Sequence, residues 1–181
     1  MKIYLAGSVP KGKDETKVWD DWRVRYQKVL EEVFDATFID PNADDIMAFE
    51  GDSLMIVGVD CGHIKSSDLV VVNAEEKLGV GTSQELVVAK YFGLPVITVL
   101  PKDTHHRRSN ITFHQTVVED WIHPFIDTFS DFVVERVEDI GDIKGRLTTI
   151  KAKDISIVDD AIAYAQEKLG VQPRSETRDS V

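Results

Sequence analysis

The sequence predicts a single doubly wound α/β domain, on three observations. Short apolar runs that are typical of buried strands alternate along the chain with segments of helical periodicity. The 181 residues, 43% of them hydrophobic, lie in the size range of one hydrophobic core. The loops after the first and third predicted strands both contain glycine and both lead into predicted helices. We expect residues 1–170 to form the domain and the polar residues 171–181 to be a disordered tail.

The strands are predicted from short apolar runs bounded by turn residues. They are residues 2–6, 36–40, 68–73, 95–100 and 132–135. The run at 95–100 is apolar on both faces, which is typical of a central parallel strand. Together the runs predict a flavodoxin-like open parallel sheet of about five strands, with right-handed crossovers and helices on both faces.

The helices are predicted from apolar residues spaced by three and four. The stripe of the first helix comprises Trp19, Trp22, Tyr26, Val29 and Val33. Further helices are expected at residues 53–67, 82–92, 117–129 (broken near Pro124) and 155–169. Gly93 is the expected C-terminal cap of the third, and Asp154 and Gly170 are the expected caps of the last.

Composition and charge exclude several classes of function. The formal charge of −11 and the scattered lysines and arginines disfavour a nucleic acid polymer as partner. A small anion could still bind at Lys11 and Lys13, or at Arg107 and Arg108. No apolar run approaches the roughly 20 residues of a membrane span, and the single Cys61 allows no internal disulfide. We therefore expect a cytoplasmic protein that has no membrane partner.

The loop that follows the third strand contains the first candidate catalytic residue, Glu85. Thr82 and Glu85 match a capping box, in which Glu85 would only bond the backbone of Thr82. Alternatively, the helix N-terminus keeps Glu85 ionised in a sheltered cleft, as a carboxylate nucleophile requires. Because ligands bind where the strand order of such sheets reverses, we expect the cleft between this loop and the Gly7-Ser8 loop.

Asp60 is the second candidate. It shares a helical row with Ile56 and Ile64, so we expect it to point toward the sheet, although many aspartates on helices are simply solvated. Asp68, at the start of a strand, is better explained by capping or loop hydrogen bonds.

The segment after the fourth strand has two interpretations. Arg107, Arg108, Ser109 and Asn110 form either a solvated surface loop or a phosphate clamp. The nearby histidines lack the spacing of a zinc motif, and we expect neither a metal nor a cofactor.

Several motifs, in this order, resemble the nucleoside 2-deoxyribosyltransferase family over about residues 2–112. They are Lys-Ile-Tyr-Leu-Ala-Gly-Ser at 2–8, Asp60 eight residues before the strand at 68–72, Gly-Val-Gly-Thr-Ser-Gln-Glu-Leu at 79–86, Ala89, and Gly-Leu-Pro-Val at 93–96. The resemblance implies that Glu85 attacks C1′ of the sugar, that Asp60 binds the sugar and helps to protonate the departing base, and that Tyr4 lines the site.

The related deoxynucleoside 5′-monophosphate N-glycosidases contribute phosphate contacts from the first loop and from a serine that reaches across a dimer, near the position of Ser109. The resemblance thus implies a homodimer or higher homo-oligomer. Neither subtype matches cleanly, because Gly79 stands where the transferases have aspartate and Pro10 where the glycosidases have arginine. The predicted substrate-binding residues are Gly7, Ser8, Lys11, Lys13, Gly79, Gly81, Thr82, Ser83, Arg108, Ser109 and Asn110.

The sequence therefore predicts cleavage of the N-glycosidic bond of a (2′-deoxy)nucleoside or its 5′-monophosphate, through a covalent glycosyl intermediate on Glu85 and with transfer to a base or to water. One alternative is a cytokinin-type phosphoribohydrolase, whose Gly-x-Gly-Thr-x-x-Glu turn is similar to residues 79–85. Others are a nucleotide-sensing domain without catalysis and an oligomer scaffold in which Glu85 is only a cap.

Overall fold

The structure is a computed structural model that describes residues 1–10, 19–39 and 52–170. Lys11, Lys13 and the predicted tail at 171–181 lie outside these residues. The strands are β1 (Lys2–Ala6), β2 (Thr37–Ile39), β3 (Leu69–Asn73), β4 (Val96–Val99), β5 (Arg107–Phe113), β6 (Thr116–Ile122) and β7 (Phe132–Val134). The α-helices are α1 (Trp22–Val33), α2 (Ser53–Lys65), α3 (Val80–Tyr91), α4 (Pro124–Phe129), α5 (Ile140–Leu147) and α6 (Ile157–Leu169). None of the helices in the described ranges is long and apolar enough to cross a membrane.

Five strands form one parallel sheet in the order β2-β1-β3-β4-β7, which confirms the predicted fold class. The strand order reverses at β1, because β2 lies on one side of it and β3 on the other. The carboxyl ends of β1 and β3 therefore meet at the edge where ligands bind in doubly wound folds.

Alternating side chains of β1 enter two separate cores on the two faces of the sheet. Ile3 and Leu5 pack with residues of α1 and α5. Tyr4 and Ala6 pack with residues of α2, α3 and α4. This alternation places the Tyr4 side chain on the same side of the sheet as the predicted Asp60 and Glu85 helices.

The predicted helix at 117–129 is wrong. Residues of this segment form β6, which pairs with β5 as an antiparallel hairpin, and only α4 is helical. The β-branched side chains of Thr116, Val117 and Val118 favour extended backbone once a partner strand is present. Pro124 does not break a helix but begins one, at a position where its missing N–H is not needed.

Arg107 anchors this hairpin to the parallel sheet. Its Nε and Nη2 donate to the two carboxylate oxygens of Asp120 at 2.8 and 2.6 Å, and its Nη1 donates to the carbonyl of Leu100 at 3.0 Å. The expected loop at residues 107–110 is therefore a strand, and the guanidinium of Arg107 is already occupied within the fold.

Helix ends differ from the predictions by a few residues. The first helix begins at Trp22 with Asp21 as N-cap, so Trp19 precedes it. The last helix has Ser156 as N-cap, while the Asp154 carboxylate accepts a hydrogen bond from the Ser156 backbone N–H. Gly170 is the C-cap of this helix, as predicted, and has the left-handed conformation that glycine adopts readily. Helix α5 was not predicted.

Candidate active site

Glu85 and Tyr4 are joined by a hydrogen bond between two separate elements. The Tyr4 hydroxyl, fully buried on β1, donates to Oε1 of Glu85 on α3 at 2.6 Å. The second carboxylate oxygen, Oε2, is buried and has no hydrogen-bond partner among the described residues. Tyr4 thus fixes one oxygen of the Glu85 carboxylate, while the other receives no hydrogen bond within the described ranges.

The capping-box interpretation of Glu85 is wrong. The N-cap of α3 is Gly79, which has no side chain, and the helix therefore begins earlier than the sequence suggested. Thr82 lies within the helix and is buried, and the Glu85 carboxylate bonds Tyr4 instead of the helix backbone. This placement removes the main structural explanation for a glutamate at position 85.

The interior raises the pKa of Glu85 to about 7. Desolvation by burial is the main cause. The Tyr4 hydrogen bond lowers this pKa, the charge of Asp60 raises it, and the charge of Arg23 lowers it. Burial and the neighbouring Glu85 raise the pKa of Tyr4 far above its ordinary value, so Tyr4 remains a hydrogen-bond donor.

Asp60 lies on α2 in the row that the sequence indicated. Ile64 in that row is fully buried, and Asp60 is half-buried. Burial raises the pKa of Asp60, and the charge of His63 lowers it. Because the charge of Asp60 acts on both Tyr4 and Glu85, the two carboxyl groups share one electrostatic neighbourhood.

Sequence reasoning missed Arg23. This residue lies in the first turn of α1, is fully buried, and has its guanidinium 4.5 Å from the ring centroid of Trp22. Its charge lowers the pKa values of both Glu85 and Tyr4. The signal was present in the sequence, since Arg23 is four residues after Trp19 and three before Tyr26 and so shares the aromatic stripe.

The first loop is packed on the same tryptophan. Gly7 is buried, and a Cβ atom there would lie 2.4 Å from Cζ2 of Trp22. The indole Nε1 of Trp22 donates to the carbonyl of Ser8 at 3.0 Å, and Ser8 itself is exposed. Glycine is favoured at position 7 because a side chain there would displace the indole ring.

The remaining predicted binding residues are dispersed. Gly81 is exposed on α3, and Ser83 donates from its hydroxyl to the carbonyl of Gly79 at 2.9 Å.

The predicted residues after β4 lie on strand β5. They are Arg108, Ser109 and Asn110. The Ser109 backbone N–H donates to Asp103 at 2.8 Å. Within the described ranges, no hydrogen bond or ion pair joins the three residues to Tyr4, Asp60 or Glu85.

A cavity of about 330 Å³ lies between α3 and α4. Its lining is mainly apolar, and its polar side chains include His106 and Ser83. The His106 ring accepts a hydrogen bond from the backbone N–H of Leu78 at 3.0 Å through Nε2. Neither Glu85 nor Asp60 lines this cavity in the described part of the chain, so it is separate from the acidic pair.

The strand order defines the class of protein: a doubly wound α/β domain of flavodoxin-like topology, with an acidic pair on helices beside the reversal of strand order. Its fold is similar to that of a 2-deoxyribosyltransferase from the psychrotolerant bacterium Bacillus psychrosaccharolyticus, with 19% identity, 85% of this chain and 98% of the other covered, and a TM-score of 0.54. It is also similar to a conserved protein from Enterococcus faecalis V583, with 20% identity, 80% and 97% covered, and a TM-score of 0.55. No protein-family model and no curated protein matches the chain. The likeness confirms, at the level of the fold, the resemblance noted in the sequence.

Proposed function

We propose that this chain cleaves the N-glycosidic bond of a 2′-deoxynucleoside or its 5′-monophosphate, with Glu85 as nucleophile. The observation that carries the proposal is the state of the Glu85 carboxylate: buried, bonded by Tyr4 at Oε1, and without a partner among the described residues at Oε2. Burying a carboxylate costs free energy, and carboxyl groups with strongly perturbed pKa values are concentrated at sites that act on a substrate. The similar fold of a 2-deoxyribosyltransferase supports the choice of a nucleoside substrate.

In the first step Glu85 and Asp60 have different roles. Oε2 of Glu85 forms a bond to C1′ while the C1′–N bond breaks and its electron pair leaves with the base. The Asp60 carboxyl, whose pKa is raised by burial, gives its proton to the departing base nitrogen. The products of this step are a glycosyl ester on Glu85, the neutral base and the Asp60 carboxylate.

The second step reverses these roles. A water molecule or an acceptor base attacks C1′, Asp60 takes the proton that this nucleophile loses, and the C1′–Oε2 bond breaks to restore the Glu85 carboxylate. Tyr4 donates to Oε1 throughout, so it orients the carboxylate without losing its own proton. Water as acceptor makes the chain a hydrolase, and a base makes it a transferase.

The test is chromatography of the products formed from a panel of nucleosides and 5′-monophosphates, with and without a free acceptor base. We expect base release or exchange by the wild type, and a loss of several orders of magnitude in Glu85→Ala. Mass spectrometry of an acid-quenched Asp60→Asn reaction should detect sugar bound to Glu85. If no member of the panel reacts and Glu85→Ala binds nucleotides as well as the wild type does, the protein is a sensor rather than an enzyme.

The proposal also predicts the pH dependence of kcat/KM. The profile should be bell-shaped, since Glu85 must be ionised and Asp60 protonated. In Asp60→Asn, kcat/KM should only rise with increasing pH, as Glu85 ionises. The midpoint of this rise should lie at or below about 7, because the Asp60 charge no longer raises the pKa of Glu85. A profile of Asp60→Asn that is flat from pH 5 to 8 would contradict the role of Glu85.

A further inference from the structure

We propose that α6 (Ile157–Leu169) pairs antiparallel with α6 of a second copy of this chain, along a stripe of apolar side chains that the fold leaves exposed. The helix carries none of the residues assigned to the reaction, so this pairing does not depend on the proposed function. The homodimer that the family resemblance implies involves the position of Ser109 on β5, which is a different element of the fold.

The helix α6 receives little packing from its own chain. None of its 13 residues is buried, and only Ile157 and Gln166 are partly covered. Ile162 is 50% exposed and Leu169 is 75% exposed. A helix of this length is marginal in water by itself and normally owes its stability to the packing of an apolar face. The apolar face of α6 is therefore expected to have a partner outside the chain.

Four exposed apolar residues of α6 form one narrow stripe. Val158, Ile162, Ala165 and Leu169 follow one another at spacings of four, three and four residues. At about 100° per residue, the four lie within about 60° of one another around the helix axis. This spacing is that of a coiled-coil seam, with Ile162 and Leu169 at a positions and Val158 and Ala165 at d positions.

The side-chain sizes in the apolar stripe favour an antiparallel pair. When two copies run antiparallel, Val158 packs against Leu169 of the second copy, and Ile162 packs against Ala165 of the second copy. Each contact occurs twice, because the pair has a two-fold axis. Every layer then joins a larger side chain to a smaller one, as a close-packed seam requires. A parallel pair would place Ala165 against Ala165 and leave a void.

The charges at the two ends of α6 favour the same direction. Its first turn carries Asp159 and Asp160, whereas Glu167 and Lys168 in its last turn cancel each other. A parallel pair would bring the two acidic first turns together, which is unfavourable. An antiparallel pair places each acidic turn beside the neutral last turn of the second copy, where Lys168 supplies a positive charge. It also places the two helix dipoles in opposite directions.

A lipid surface fits α6 less well than a second copy does. Amphipathic helices that lie on membranes are rich in lysine and arginine on their polar face. The polar side of α6 has three acidic residues and one basic residue, which are Asp159, Asp160, Glu167 and Lys168. An anionic membrane would repel this side of the helix.

The first experiment is sedimentation velocity of the full chain over a hundredfold range of concentration that reaches the millimolar range. A helix of 13 residues is about 20 Å long, so the seam is small and we expect a weak association that increases with concentration. Ile162→Glu places a charge in the seam and should halve the mass that the wild type reaches. Ala163→Glu adds the same charge at an exposed position of the same helix, outside the stripe, and should leave the mass unchanged.

Two results of this experiment would overturn the proposal. One is a wild type that stays monomeric at every concentration, including one that instead co-sediments with vesicles of phosphatidylcholine and phosphatidylglycerol. The other is a folded Ile162→Glu variant whose mass equals that of the wild type. Because Ile162 is half exposed, the rest of the domain should tolerate its replacement, and near-UV circular dichroism checks this.

A second experiment tests the direction of the pair by cross-linking. Cys61, the single cysteine, is first replaced in Cys61→Ser, and Ile162→Cys and Ala165→Cys are then made separately in that background. The two proteins are mixed at high concentration and oxidised with diamide. The antiparallel pair predicts more disulfide between the two different variants than random pairing would produce. Disulfides formed mainly within each variant, or in the random proportion, would refute the antiparallel geometry.

Discussion

Replacing Glu85 with glutamine should stabilise the protein above neutral pH, because it removes a charge from the interior and preserves the shape of the side chain. The amide oxygen of the introduced glutamine can still accept the hydrogen bond of Tyr4. The substitution therefore isolates the cost of ionising a buried carboxylate.

The magnitude follows from the pKa. The folded protein raises the pKa of Glu85 from 4.5 to about 7, so the carboxyl binds its proton more tightly in the folded state than in the unfolded state. This contribution to stability is fully present below pH 4.5 and is lost as the pH rises through 7. Since each pKa unit corresponds to about 1.4 kcal/mol, the loss is about 3 kcal/mol. The Glu85→Gln variant has no carboxyl group at this position, so it does not lose this stability as the pH rises.

The assay is urea denaturation of both proteins at intervals between pH 4 and 8.5. The difference in free energy of unfolding, glutamine variant minus wild type, should increase by about 3 kcal/mol over this range, with most of the increase between pH 4.5 and 7. Glu167→Gln, in a side chain that is 76% exposed, is the control and should show no such increase.

A difference that is constant with pH would refute this reasoning. It would mean that the Glu85 carboxylate is solvated as well in the folded protein as in the unfolded chain, and the argument from burial to a functional charge would fail.

Two further predictions concern packing and a buried ion pair. Gly7→Ala places a Cβ 2.4 Å from Trp22, so the indole must move; we expect the free energy of unfolding to fall by about 1–3 kcal/mol and the near-UV circular dichroism of the tryptophan to change. Asp131→Ala leaves Lys90 fully buried without the carboxylate that it contacts, and we expect a loss of about 3–5 kcal/mol in urea denaturation.

Each of these predictions has a matched control. Gly58→Ala lies in the interior of α2, where an added Cβ meets nothing within 4 Å, and it should stabilise by about 0.5–1 kcal/mol. Glu167→Ala breaks an exposed pair with Lys168 and should cost less than about 0.5 kcal/mol. If Gly7→Ala were as harmless as Gly58→Ala, Trp22 would not be packed on the first loop. If Asp131→Ala cost no more than Glu167→Ala, the Lys90 pair would not be buried as the structure has it.

Local patterns were enough to predict the parallel sheet. The runs that became β1, β3, β4 and β7 are short, apolar and bounded by turn residues, and most of their side chains are buried. The same logic failed for the hairpin. A segment such as β6 acquires its conformation from pairing with β5 and from the hydrogen bond that Arg107 donates to Asp120. The residue pattern of the β6 segment alone gives no information about either partner.

By itself the sequence determined the strands of the parallel sheet, the glycine loops and the two acidic candidates, because periodicity and residue type are properties of neighbouring positions. Only the tertiary structure decided that α3 begins at Gly79, that Glu85 bonds Tyr4 across 81 residues of chain, and that Arg23 adds a positive charge to the same interior. Hydrogen bonds and charges act through space in a medium of low dielectric constant, and their partners are chosen when the sheet brings distant segments together.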